Sequence, residues 1–244
     1  MREILKMKTL SPGWTCWWTV AFYAMAMAWV ESAVVFYLRT MIDRIEPYQP
    51  NPLPMIGGFA AVELVREAAT LVMLLAVGIL AGRTWRARLG YAVIAFGFWD
   101  IFYYVFLKMI CDWPHSVMDW DILFLLPMPW WGPVLAPVLI SLLMILWGTF
   151  ATQFERNHAL ERSNWRVWVL SFAGVALALY VFMADAIAAS HHGLAAVRMA
   201  LPGKFNWMLF GVALVLMAAP MLQAVQHRWQ ANFQRAEAEP DRFR

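Results

Sequence analysis

The sequence predicts an all-α integral membrane protein, a bundle of six transmembrane helices with both termini in the cytoplasm. Three observations predict it. Of 244 residues, 62% are hydrophobic and only 14% charged, with a mean hydropathy of +0.58, against about 25% charged in an ordinary soluble domain. Six stretches have the roughly 20 mostly apolar residues that a hydrocarbon core demands. Lys and Arg then gather in alternate connections, which sets the direction of every span.

The first span, Trp14 to Leu38, follows Arg2, Lys6 and Lys8. Its start resembles a cleaved signal, with the small-residue pattern Ala24-Met25-Ala26, but the apolar run continues through Val30 to Leu38. That is longer than a cleaved apolar region, so the segment reads as a transmembrane helix. The connection from Arg44 to Met55 holds Pro47, Pro50, Pro52 and Pro54, a composition that favours an extended, semi-rigid link. Phe59 to Gly82 and Gly90 to Cys111 form the second and third spans.

The next connection combines Asp112-Trp113-Pro114-His115 and Asp119-Trp120-Asp121 with an apolar run broken by Pro127, Pro129, Pro133 and Pro137. Met118 to Leu126 is expected to be a short interfacial or re-entrant helix, with Trp130 and Trp131 at the headgroup level. Gly132 to Phe154, Trp165 to Ile187 and Phe205 to Val225 complete the spans. Residues 1–226 thus form a single transmembrane domain, and 227–244 a polar cytoplasmic tail.

Thirteen basic residues fall on one side: Arg2, Lys6, Lys8, Arg83, Arg86, Arg88, Arg156, Arg162, Arg166, Arg228, Arg235, Arg242 and Arg244. The other side receives Arg39, Arg44, Lys108, Arg198 and Lys204, with Arg66 inside the second span. Positive loops stay in the cytoplasm, which accounts for the net charge of +3 and the pI near 9.0 without a nucleic-acid partner. The expected location is a bacterial inner membrane. The expected partners are the lipid bilayer and either another membrane protein or further copies of the chain. Cys16 and Cys111 lie at opposite ends of their spans, too far apart for a disulfide across roughly 30 Å of membrane.

Carboxylates within the spans are the strongest pointer to function, because a charge at mid-membrane costs at least about 2.5 kcal/mol. Glu31, Glu63, Glu67, Asp100 and Asp185 all fall in the half away from the cytoplasm. Glu63, Arg66 and Glu67 stand at i, i+3 and i+4, so the guanidinium can lie beside both acids. Asp100, Tyr103 and Tyr104 repeat that spacing, so that either tyrosine can donate to Asp100, with Lys108 one turn on. Glu31 aligns roughly with Arg39, and Asp185 with His192 if the fifth helix persists. One polar cluster in the outer half is the expected result. It either ties helices together or binds a proton, cation or small polar substrate.

A metal centre would draw on His115, Asp119, Asp121, Asp185, His191 and His192, since carboxylate and imidazole are the ligands of zinc, iron and manganese. Their spacing matches no HExxH or paired ExxH pattern. Transmembrane haem is disfavoured because the histidines lie in connections and not on facing helices. Retinal is disfavoured because the only lysine at a span end is Lys108. No GxSxG elbow or nucleotide-binding loop occurs, so the cofactor is left unknown.

Glu63-Leu64-Val65-Arg66-Glu67-Ala68-Ala69-Thr70 together with Trp99-Asp100-Ile101-Phe102-Tyr103-Tyr104 resembles a family of uncharacterised bacterial multi-pass inner-membrane proteins, over roughly the first four spans. The resemblance implies no activity and no functional residue. From the residues, the expected role is a non-catalytic inner-membrane component, a complex subunit or accessory factor. A small transporter or proton- or cation-coupled permease is the alternative, followed by an outward-facing, metal-dependent enzyme. The charge asymmetry predicts that reporters fused after Leu89, Asn157 or Arg244 read cytoplasmic and those at Gln49, Ser116 or Gly193 read external. A cytoplasmic signal at Gly193 would overturn the last two spans.

Overall fold

The computed structural model describes residues 12–49, 59–124, 128–153, 165–193, 196–197, 200–223 and 225–226. The expectations for the tail 227–244, for Pro50, Pro52 and Pro54, and for Arg156, Arg162 and Arg198 lie outside them. The protein is mostly helical. Its helices are α1 (Pro12–Met41), α2 (Phe59–Ala81), α3 (Trp85–Cys111), α4 (Leu135–Gln153), α5 (Trp165–Ser190) and α6 (Trp207–Met217). Five of these are long and apolar enough to cross a membrane, which fits a multi-pass membrane protein. α6 has 11 residues, and a further short helical stretch begins at Ala219.

The chain divides into two compact units, one holding α1 to α4 and the other α5 and α6. In the first, α3 packs against α1, α2 and α4. Its boundaries follow from local chemistry. Thr84 caps the start, its hydroxyl accepting from the Ala87 N–H at 3.2 Å. At the end, Asp112 turns left-handed at φ 58° while its N–H still donates to the Lys108 carbonyl.

Small residues let α3 and α4 meet backbone to backbone. A methyl placed on Gly97 would lie 2.7 Å from the Ser141 carbonyl oxygen, and one on Gly90 2.7 Å from Thr152 Cγ2. Close approach of this kind replaces the hydrophobic drive that lipid cannot supply. Away from the polar residues, Trp17 of α1 donates from Nε1 to Thr149 of α4 at 2.9 Å and meets Phe98 edge-on. The second unit uses the same device: Gly174 of α5 sits where a methyl would be 2.7 Å from the Ala213 carbonyl of α6.

The segment before α4 differs from the expected interfacial helix. Trp120–Phe124 forms strand β1, paired with strand β2 at Trp130–Pro133, and the division between the two units falls within this hairpin. Prolines explain the outcome: Pro129 and Pro133 lack an N–H and push each preceding residue out of the helical region. Trp120, Ile122 and Phe124 alternate with Asp121 and Leu123, a spacing of two with aromatic and β-branched side chains that suits a strand. α4 consequently starts at Leu135, three residues later than expected.

The tight α3–α4 contact gives a direct expectation. Gly97→Leu should lower the thermal midpoint in detergent, since overpacking costs about 1–3 kcal/mol. Gly211→Leu, whose added Cβ meets open space, should leave it nearly unchanged. Equal midpoints, read by fluorescence-detected size exclusion after heating, would contradict this packing.

Candidate functional site

In the first unit, α1 and α3 run one way and α2 and α4 the other. The buried polar residues gather at the end where α1 and α3 finish. Arg66 of α2 is the first centre. Its Nε donates to Glu63 Oε2 at 3.0 Å, its Nη2 bonds Glu63 Oε1, and its Nη1 reaches Glu31 on α1. Thr70, one turn further along α2, donates to the other Glu31 oxygen at 3.3 Å. Arg66 was expected to lie beside both Glu63 and Glu67 on its own helix. It bonds Glu63 and also reaches Glu31 on the neighbouring helix, while the buried Glu67 lies within its electrostatic range.

Arg39, near the end of α1, is the second centre. Its Nη2 donates to Asp121 Oδ1 at 2.9 Å and to the Tyr103 hydroxyl at 3.3 Å, and its Nη1 to the Ile45 carbonyl at 3.3 Å. The Trp113 ring lies 4.2 Å from Arg39 Cζ, within cation–π range. Asp121 is 1% exposed. A guanidinium in this setting is matched by charge, by hydrogen bonds and by an aromatic face, which is what low dielectric requires of a buried ion.

The third centre is Asp100 on α3. Its Oδ2 accepts from the Ser141 hydroxyl of α4 at 2.8 Å, both side chains being buried. Either tyrosine was an expected donor to Asp100, and the serine takes that place. Tyr103 serves Arg39 instead, and Tyr104 lies buried within electrostatic range of Asp100 and Asp121. Ser32 of α1 completes the set by donating toward the Tyr103 backbone carbonyl at 3.0 Å. The three centres lie within electrostatic range of one another, Arg66 of Tyr103 and Asp100 of Asp121, and together they span four helices and the start of β1.

Other candidates fall elsewhere. Lys108 is exposed and pairs with Asp112 at 2.7 Å, outside the network. Its ammonium, by hydrogen bond and by charge, holds the Asp112 carboxyl below its ordinary range. Asp119 caps its own turn, accepting from the His115 N–H at 2.7 Å and the Ser116 N–H at 3.1 Å. The exposed His115 imidazole lies 3.4 Å from Glu46. Asp185 belongs to the other unit, where it accepts from the Gly203 N–H at 3.2 Å. α5 ends at Ser190, so His191 and His192 occupy an exposed turn and do not continue the Asp185 stripe. Among the described residues, no three His, Cys, Asp or Glu side chains converge in a way that could hold a metal ion.

Sequence reasoning missed four members of the network. Ser32, Thr70 and Ser141 are small hydroxyls within apolar helices, where only a partner distinguishes a used one from a bystander. Trp113 follows the third span closely, and nothing in its position separates it from a ring at the headgroup level. The available signal was the pairing of Arg39 with a carboxylate, sought on Glu31 and found on Asp121.

No family model matches the chain, and no curated protein or solved structure does.

Arg66→Ala should leave Glu31 and Glu63 facing each other without their cation. Breaking a buried pair costs about 3–5 kcal/mol, and the partial exposure of this one places it at the low end. Folded yield should therefore drop well below that of Arg83→Ala in the exposed turn before α3. Removing one acid together with the cation, by Arg66→Gln and Glu63→Gln, should recover part of the loss. Equal yields for Arg66→Ala and Arg83→Ala would show that water already compensates the cluster.

Proposed function

We propose that the chain is a non-catalytic integral component of a bacterial inner membrane, a complex subunit or accessory factor. It has six spans, both termini cytoplasmic and its polar end directed away from the cytoplasm. The sixth span would combine α6 with the helical residues that follow it. One observation carries the functional reading: Arg66 and Arg39 are both used to join segments of the chain. Arg66 holds α2 to α1, and Arg39 holds α1 to α3 and to Asp121. Charges arranged this way fix how helices meet, and polar groups buried in lipid serve that purpose well. The aromatic rings exposed on α1, including Trp14, Trp18 and Tyr37, suit an interfacial belt or a partner helix.

A second reading, a proton- or cation-coupled permease, has its own support. Five carboxylates (Glu31, Glu63, Glu67, Asp100 and Asp121) meet only two network guanidiniums, Arg39 and Arg66. So many acids cannot all ionise side by side in low dielectric, and the set would take up protons or a cation.

Purification in mild detergent followed by mass spectrometry separates the two. A subunit should bring down a membrane protein in fixed ratio, and the partner should persist in Asp100→Asn, which keeps an acceptor for Ser141. A chain that purifies alone and moves protons or alkali cations in liposomes, with flux abolished by Asp100→Asn, would overturn the first reading for the second.

A further inference from the structure

The network is covered at its open end by residues 113–121. Trp113 is 2% exposed, with its ring against Arg39 and 6.3 Å from that of Tyr104. Asp121, at the other end of the segment, is held by the same guanidinium. Between these two anchors His115, Ser116, Val117 and Met118 are exposed. The segment is therefore exposed between two buried anchors, and a single side chain of α1 contacts both of its ends. Its other ties include backbone bonds from the Val134 N–H to the Asp119 carbonyl at 3.0 Å and from the Leu135 N–H to the Val117 carbonyl at 2.8 Å, the His115–Glu46 contact at 3.4 Å, and a side-chain hydrogen bond between Tyr104 and Asp121.

We propose that residues 113–121 form a gate over the carboxylate network, latched by Arg39, which admits water and small cations when the Arg39–Asp121 pair opens. The chemistry of the latch suits a reversible motion. A buried ion pair gains little over its hydrated members, because attraction is offset by the cost of desolvation. Opening it trades one nearly balanced state for another. Trp113 supplies the return, since an indole lifted off Arg39 and Tyr104 exposes a large apolar surface to water. The backbone bonds to Val134 and Leu135 lie at the start of α4 and give the segment a fixed edge about which to move. Behind it lie Asp100 and Ser141, reached past Tyr104. The inference deepens the reading of the network as an ion site and is independent of which side of the membrane the gate faces.

Thiol accessibility tests it on the full chain. With Cys16→Ser and Cys111→Ser as background, Ser141→Cys places a near-isosteric reporter behind the gate. Ala151→Cys, also buried, reports on the opposite end of α4. In lipid nanodiscs both faces are open to a membrane-impermeant cationic methanethiosulfonate, so the result does not depend on topology. Adding Asp121→Asn, or separately Trp113→Ala, should speed labelling at Ser141→Cys at least tenfold and leave Ala151→Cys unchanged. Unchanged labelling at Ser141→Cys in both variants would overturn the gate. Faster labelling at both reporters together would also overturn it, since the Arg39 contacts would then hold the whole unit together and not a movable cover. Loss of cation flux by Asp100→Asn bears on the permease reading alone and would leave the gate standing.

Discussion

A guanidinium packed among helices has little water to turn to, so it must find partners within its own reach, and the first unit is arranged around two that do. Arg66 and Arg39 sit on antiparallel helices, yet their partners converge on the same end of the unit. Each demands acceptors from a neighbouring segment. Glu31 therefore has to face α2, and Asp121 has to return to α1 after a connection of more than a full turn of chain. Satisfying these two groups fixes the rotation of α1 and the position of the segment after α3 together. An apolar contact at either place would tolerate a helix turned by one residue; a multidentate guanidinium does not.

α3 is the element through which these demands are transmitted. One side carries Gly90 and Gly97, which bring α4 into backbone contact, and another carries Tyr103, whose hydroxyl meets Arg39 and whose carbonyl meets Ser32. Asp100 sits between the two and ties its helix to α4 through Ser141. The same helix supplies tight packing and polar connection because Gly97 and Asp100, three residues apart, share the face toward α4, while Tyr103 meets α1. The aromatic run Phe98, Phe102 and Phe106 takes a further face, where Phe106 meets Trp29 of α1 edge-on.

The membrane class and the five long helices were legible because hydropathy is a property of whole segments and survives error at any one residue. The presence of a polar cluster was legible for a related reason, since charges in apolar helices are few and expensive. Its wiring was not. Helical spacing reveals which residues of one helix share a face, as with Glu63 and Arg66, but carries no information about which neighbour that face meets. Arg66 thus reached Glu31 across a helix boundary, and Ser141 took the place at Asp100 expected for a tyrosine. The hairpin failed for a different reason. Hydropathy around Ile122 to Leu126 suits a helix, whereas prolines on the far side of the turn decide for strands, and an apolar window averages that information away.

The backbone contact of α3 with α4 bears on how the unit can deform. Where two helices touch through glycine and a carbonyl oxygen there is no flexible side chain to bend, so neither rolling nor sliding is open to that pair. α1 and α2 are joined instead by the long, many-jointed side chains of Arg66, Glu31 and Glu63, which can swing while keeping hold of one another. Compliance is therefore distributed unevenly around α3, with a stiff seam on the α4 side and an elastic one between α1 and α2. Lateral pressure from the bilayer, or the pull of a bound protein, would be absorbed almost entirely by the elastic seam.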